Sequence, residues 1–151
     1  MFETLRWLVV AEAVGLAAYP IAFGLFPALR DRGWGLSKPL GLLLAGFAVW
    51  LLSHTSVIPN SPITYWSVLL VAMSAGGLFL YSKRSDLRAL IVQEWRVFLI
   101  GELLFLTFFS AWLAYRAYDP NIAGTEKPMD LLFLNASVIA ENAPPNDPWL
   151  S

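Results

Sequence analysis

The stretch that decides the fold is VFLIGELLFLTFFSAWLAY, residues 97–115, in which one charged residue interrupts an otherwise apolar run. A helix of about 20 residues is needed to cross a hydrocarbon core of about 30 Å. Three further stretches of this kind precede it, at about residues 5–29, 39–58 and 63–81. The stretch at 97–115 can be prolonged backwards as a polar helix from Asp86. Because their apolar residues are continuous and do not alternate, the four stretches predict membrane helices and not barrel strands.

The composition of the whole chain supports this prediction. Of the 151 residues, 58% are hydrophobic and 14% are charged, whereas a soluble domain carries about 25% charged residues. A chain this short has too much surface to bury so much apolar material in a water-soluble core. The net charge of −1 argues against nucleic acid as a partner, and the absence of cysteine excludes disulfides and thiolate nucleophiles. We therefore expect a polytopic protein whose main partner is the lipid bilayer.

Basic residues predict the orientation of the spans. The segment between the second and third spans has no Lys or Arg, whereas the segments after the first and third spans are basic. Their basic residues are Arg30, Arg32, Lys38, Lys83, Arg84 and Arg88. Because basic loops stay in the cytoplasm, we expect a multi-pass protein of the cell membrane with both termini extracytoplasmic.

The C-terminal tail, residues 119–151, differs in character from the transmembrane region, residues 1–118. Thr125 can cap a helix there, and Pro128 suits a first helical turn. The apolar residues that follow recur at helical spacing and form one stripe. They are Met129, Leu132, Phe133, Ala136 and Ala140. The predicted fold is thus all-α, with four transmembrane helices and a short extracytoplasmic helix lying in the membrane interface.

The start of this tail helix concentrates polar chemistry. Glu126 and Asp130 are four residues apart, so both carboxylates can project from one side of a helix. A carboxylate can act as a general base, and two carboxylates can hold Mg²⁺ or Mn²⁺ against a phosphate. Lys127 or Arg116 can contact a lipid phosphate. By spacing alone, the favoured alternative is that these are solvated charges near the positive end of a helix dipole.

Two carboxylates lie inside the spans themselves. A charged side chain at the bilayer centre costs about 2.5–3.5 kcal/mol on translocon-based scales. We therefore expect Glu12, in the first span, to face protein in a packing contact, an interpretation favoured over a proton or ion site. Glu102, in the fourth span, is expected either near the headgroups or in an interhelical bond.

Two motifs in the tail carry a family resemblance. EKPMD at residues 126–130 and PPNDPW at residues 144–149 resemble segments of the Chlor_Arch_YYY family of polytopic membrane proteins. GWGLSKP at residues 33–39 and ELLF at residues 102–105 also look similar, so the likeness covers most of the chain. That family looks related to the GT-C glycosyltransferases, membrane enzymes that take a sugar from a polyprenyl-phosphate carrier.

The resemblance implies roles for individual residues. Asp130 is the candidate catalytic base or metal ligand, and Glu126 is the second candidate. Lys127 and Arg116 are the candidate phosphate contacts, and Asp147 is a second acidic residue of the substrate site. No metal is assigned, although Mg²⁺ and Mn²⁺ suit such carboxylates.

The chain ends before the tyrosine triplet and the later spans of that family. The sequence therefore predicts either of two functions. The first is the N-terminal module of a GT-C-like glycosyltransferase that uses a polyprenyl-phosphate-linked sugar. The second is a non-catalytic accessory or scaffold subunit that binds other membrane subunits in a larger complex. Whether the chain is an enzyme by itself is left open by the residues alone.

Overall fold

The computed structural model describes residues 2–118 and 127–149, which form five helices and no strand. The helices are α1 (Phe2–Leu25), α2 (Trp34–Ser53), α3 (Pro62–Ser82), α4 (Arg84–Tyr118) and α5 (Lys127–Ile139). The first four are long and apolar enough to cross a membrane, and α5 has only 13 residues. The all-α, polytopic fold with four spans and one short tail helix is therefore confirmed.

The second span begins earlier than the sequence predicted. Helix α2 starts at Trp34 and not at residue 39, because the carboxylate of Asp31 binds its free backbone N–H groups. Asp31 Oδ1 accepts from Gly33 N at 3.0 Å, and Oδ2 accepts from Gly35 N at 2.8 Å. Gly33 has φ +84°, a left-handed conformation that favours glycine. Lys38, predicted to lie in a cytoplasmic loop, is therefore inside α2.

The fourth span also extends further back than its apolar run. Helix α4 has 35 residues, which corresponds to about 52 Å at about 1.5 Å per residue and exceeds a hydrocarbon core of about 30 Å. It departs from helical geometry at Glu94, where φ is −113° and ψ is 17°. Before this break, Leu87 and Leu90 pack against a cluster of buried residues on α1. Phe98, which lies after the break, packs against the same cluster, so the two parts of α4 both contact α1.

Helix α1 lies at the centre of the bundle and packs closely against α2 and α3. Its buried apolar residues are Val14, Ala17, Ala18, Tyr19, Ala22 and Phe23. A Cβ atom on Gly41 of α2 would lie only 2.5 Å from the carbonyl oxygen of Val14. A Cβ atom on Gly76 of α3 would collide with the ring of Pro20. Glycine at both positions thus lets the backbones approach, as is common between membrane helices.

The bundle has two chemically different ends. The basic end contains the loop between α1 and α2 and the junction of α3 with α4, and it carries Arg30, Arg32, Lys83, Arg84 and Arg88. The opposite end, here called the α5 end, contains the start of α1, the loop between α2 and α3, and helix α5. The candidate tail residues belong to the α5 end.

Candidate functional site

Helix α5 is attached to the rest of the protein through one asparagine. The Asn60 side chain, in the loop between α2 and α3, donates to Ser137 O at 2.8 Å and to Ala140 O at 3.0 Å. The Asn60 backbone N–H donates to Glu141 O at 2.7 Å. These carbonyl groups lie at the C-terminal end of α5, where a helix lacks its own donors. The tail helix is therefore fixed beside the loop that has no Lys or Arg.

The orientation of α5 on the bundle agrees in part with the predicted stripe. Leu132, Ala136 and Ala140 are half-buried, as expected for residues that face the protein. Met129 and Phe133 belong to the same predicted stripe but are 40% and 42% exposed. The half-buried residues of the stripe are therefore those spaced four apart, at 132, 136 and 140, whereas Met129 and Phe133 remain exposed.

An apolar groove runs beneath α5. It has a volume of about 540 Å³ and lies between α1, α2, α3 and α5. Its lining includes Trp7, Val10, Leu42, Trp66, Leu134 and Val138. This volume is within the range of about 300–1,000 Å³ that is typical of ligand sites. Because almost all of its walls are apolar, the groove suits a hydrocarbon chain.

A second groove of about 570 Å³ adjoins the first one and contains Arg116. The two grooves share Trp7, Val10 and Leu42, which form the wall between them. The guanidinium of Arg116, near the end of α4, makes no hydrogen bond or ion pair with any described residue. Glu3 lines the same groove, but its carboxylate pairs with Arg6 at 2.9 Å. A cation at the end of an apolar groove can bind an anionic headgroup.

The other predicted site residues occupy separate positions. Asp130 is exposed in the first turn of α5, and Lys127 is the half-buried first residue of that helix. Asp147 Oδ1 accepts a hydrogen bond from Trp149 N at 2.9 Å. The structure places Asp130 and Arg116 at the same end of the bundle without direct contact. Glu126 lies outside the described residues.

A metal site is not formed by the part of the chain that the structure describes, since no three His, Asp or Glu residues there could hold an ion together. Asp130 is the described member of the predicted carboxylate pair, and Glu126 would have to supply the second ligand. The pairing of these two carboxylates, with Mg²⁺ or Mn²⁺ between them and a phosphate, therefore stays a prediction.

A cluster of three charged side chains lies within the membrane-spanning helices. Lys38 Nζ of α2 is 2.6 Å from Glu102 Oε1 of α4 and 3.2 Å from Glu12 Oε2 of α1. The Lys38 side chain is only 10% exposed, and those of Glu12 and Glu102 are 34% and 27% exposed. We call these three residues the Lys38 cluster. It confirms the protein-facing contact expected for Glu12 and the interhelical bond expected for Glu102.

Two features hold Lys38 in this position. Its ammonium lies 4.6 Å from the ring centre of Phe105 and 5.2 Å from that of Trp34, which places it over two aromatic faces. Its aliphatic stem passes over Gly15, where a Cβ atom would come within 2.7 Å of Lys38 Cγ. A glycine on α1 thus makes room for the lysine side chain between the helices.

The role of Lys38 was not predicted, because its position near the end of a span resembles that of a cytoplasmic loop cation. A second ion pair shows the signal that was available. Arg30 Nη2 donates to Glu94 Oε2 at 2.7 Å, close to the break in α4. Arg30 and Lys38 are eight residues apart, and so are their partners Glu94 and Glu102. Arg30 lies in the turn before α2 and Lys38 lies inside α2. Equal spacings of opposite charge in two segments of the chain were therefore the available signal for this pairing.

Comparison with known proteins agrees with the membrane fold. The model of a family described as uncharacterized membrane protein (DUF2298) matches residues 44–151. No curated protein and no solved structure matches the chain significantly. The family match covers α3, α4, α5 and the second half of α2, including both tail motifs. The chain is therefore an integral membrane protein that belongs to the DUF2298 family.

Proposed function

We propose that this chain is the N-terminal module of a GT-C-like glycosyltransferase whose donor is a polyprenyl-phosphate-linked sugar. One observation carries the proposal: Asn60 holds α5, with Asp130 in its first turn, beside an apolar groove of about 540 Å³. A lipid-linked donor has a long apolar chain, a phosphate and a sugar. The α5 end offers an apolar groove, a cation and an exposed carboxylate.

Each tail residue has a role in this proposal. The polyprenyl chain lies in the apolar groove, and Arg116 and Lys127 bind the phosphate. Asp130 removes the proton from the acceptor hydroxyl, and the acceptor oxygen bonds to the anomeric carbon of the sugar. The bond between that carbon and the phosphate oxygen breaks, and polyprenyl phosphate leaves with its electron pair. Glu126 and Asp147 are the further acidic residues of the site, as the family motifs imply.

The role of Asp130 is tested by sugar transfer in a longer family relative that carries the later spans. We expect replacement of the aspartate in its EKPMD motif by Asn to lower turnover by a factor of about 10²–10⁴, the usual contribution of a general base. The matched control replaces the acid corresponding to Asp86, which is exposed in the first turn of α4 at the basic end. Unchanged turnover in the motif variant would remove Asp130 from the catalytic role.

The lipid site is tested on this chain itself, reconstituted in vesicles with a photoreactive polyprenyl phosphate. Arg116→Gln is expected to lower labelling at least tenfold, because the phosphate loses its cation. Arg88→Gln, an exposed arginine at the basic end, is the control and is expected to label like the wild type. Equal labelling of all three proteins would show that Arg116 does not bind the lipid phosphate.

One observation favours the alternative of an accessory subunit. Helix α4 has no buried residue among those described, and most of its apolar side chains are exposed. Such a surface fits another membrane subunit as well as it fits lipid. A photo-crosslinking residue at Leu104, which is 54% exposed, distinguishes the two readings. In native membranes, a protein adduct of defined mass supports the accessory subunit, whereas adducts with lipid alone support the transferase module.

Both readings depend on the side of the membrane on which α5 lies. The chain has no cysteine, so a single introduced cysteine reports one position. Ser137→Cys, in α5, is expected to react with an impermeant thiol reagent added outside intact cells. Ser85→Cys, at the basic end, is expected to react only after the membrane is opened. The reverse pattern would place the basic end outside and contradict the transferase proposal.

A further inference from the structure

The Lys38 cluster has an imbalance of charge. Two carboxylates, from α1 and α4, share one ammonium from α2. When all three groups are ionised, the cluster has a net charge of −1. The ammonium is nine-tenths buried, so water has little access to the centre of the cluster.

No other charged group of the surrounding helices neutralises this excess. Helix α3 contains no charged residue. On α1, the hydroxyl of Tyr19 donates to Asp31 O at 3.3 Å and is directed toward the loop. The nearest cations before Lys38 in the chain are Arg32, whose guanidinium lies 4.5 Å from the centre of the Phe23 ring, and Arg30, which is paired with Glu94 at 2.7 Å. On α4, the guanidinium of Arg96 lies 5.5 Å from the centre of the Trp95 ring. Lys38 is therefore the cation that serves both Glu12 and Glu102.

The position of the cluster makes the imbalance costly. Glu12 is the eleventh of the 24 residues of α1, close to the middle of that span. The exposed neighbours of the two glutamates along their helices are apolar, with Leu16 on α1 and Leu99 and Leu103 on α4. We therefore expect the exposed parts of the two carboxylates to face lipid chains. An uncompensated charge at this depth is costly, because hydrocarbon does not solvate it. Uptake of one proton converts the cluster into an ammonium, a carboxylate and a neutral carboxyl, with no net charge.

We propose that Glu12, Lys38 and Glu102 form an intramembrane binding site for one proton. The two carboxyls share the ammonium of Lys38, and the proton is bound by whichever of them is the weaker partner of that ammonium. Glu102, at 2.6 Å, is the nearer partner of Lys38, and Glu12, at 3.2 Å, is the farther one. This site is independent of the proposed transfer chemistry at the α5 end, since none of its residues belongs to the tail.

Charge balance predicts how the number of bound protons changes with each substitution. Glu12→Gln or Glu102→Gln leaves one carboxylate for one ammonium, so neither variant needs a proton. Lys38→Met removes the ammonium, so both carboxyls become protonated. Glu3→Gln is the matched control, because Glu3 is exposed at the end of α1 and pairs with Arg6 outside the cluster.

Infrared spectroscopy of the protein in lipid vesicles at neutral pH tests these numbers. A protonated carboxyl has a carbonyl stretching band that shifts in D₂O, and its area relative to the amide band reports the number of protons. We expect one protonated carboxyl per chain in the wild type and in Glu3→Gln. We expect none in Glu12→Gln or in Glu102→Gln, and two in Lys38→Met.

Two results would overturn the proposal. The first is a wild type without the carboxyl band. The second is a band that survives either single glutamate substitution. If the wild type lacks the band and also loses helical stability when sodium is replaced by choline, a metal cation balances the charge in place of the proton. Circular dichroism verifies folding, and the two glutamine variants keep the test decisive if Lys38→Met does not fold.

Discussion

The Lys38 cluster and helix α5 are both polar features of an apolar protein, but they are stabilised in different ways. The cluster joins three spans through ion pairs of 2.6 and 3.2 Å around a buried ammonium. Helix α5 is joined to the bundle by the hydrogen bonds of Asn60 and leaves Asp130 exposed. Inside the membrane, polar groups need protein partners, whereas at its surface water can serve them. Substitutions in the two regions should therefore change different properties of the molecule.

The largest expected effect is that of Lys38→Ala on the free energy of unfolding. Removing one partner of a buried ion pair costs about 3–5 kcal/mol, and in this variant both carboxyls lose the ammonium that joins α1, α2 and α4. We expect a loss of about 3 kcal/mol, measured by unfolding in mixed micelles with circular dichroism. The control is Arg30→Ala, whose side chain is 74% exposed and whose ion pair should contribute less than about 1 kcal/mol. Equal losses in both variants would contradict the difference between buried and exposed pairs.

The packing of α1 against α2 is expected to give the next largest effect. Gly41→Leu would place a side chain against the backbone of Val14, which lies 2.5 Å from the position of a Cβ atom. Overpacking of this kind costs about 1–3 kcal/mol. Gly46→Leu in the same helix is the control, because nothing lies within 4 Å of its Cβ position. The same unfolding measurement should therefore separate the two variants, and a stable Gly41→Leu protein would show that the helices separate easily.

Hydropathy predicted the four spans because each one must present a continuous apolar surface to lipid. It gave the start of α3 to within one residue but not that of α2, which depends on a side-chain contact. The carboxylate of Asp31 accepts from Gly33 N and Gly35 N, and α2 therefore begins at Trp34. Leu87 packs on α1 in the polar extension of α4, which was predicted from Asp86. The role of Lys38 was missed for the same reason, since a basic residue near a span end resembles a loop cation until its helix is known.

The candidate site was predictable to a smaller extent. The EKPMD motif and the apolar stripe indicated the tail helix and its carboxylates, because both patterns are local in sequence. The groove beneath α5 is not local, since its walls come from four helices. Asn60 also lies far in sequence from the residues that it binds, with a separation of 77 positions from Ser137. Contacts over such separations follow from the packing of the spans.

Asn60→Ala is expected to release α5 with a smaller effect on the bundle. The variant loses two side-chain hydrogen bonds, each of which contributes about 0.5–1.5 kcal/mol. Hydrogen exchange in residues 127–139 should accelerate about tenfold, while exchange in α1 stays unchanged. The control is Ser137→Ala, which keeps the carbonyl that accepts from Asn60 and removes a hydroxyl that bonds within α5 to Phe133 O. If α5 remains protected in Asn60→Ala, the apolar contacts of the groove hold it instead.

Asp130→Asn is expected to have the smallest effect on stability. Its side chain is exposed, and surface substitutions usually change the free energy of unfolding by less than about 0.5 kcal/mol. The unfolding midpoint in mixed micelles should therefore equal that of the wild type within error. A loss approaching that of Lys38→Ala would show that Asp130 is a structural residue of α5, and any loss of sugar transfer in a motif variant could then follow from unfolding. Retained stability together with lost transfer is the one combination that assigns Asp130 to chemistry, because it separates the reacting carboxylate from the ion pairs that hold the spans together.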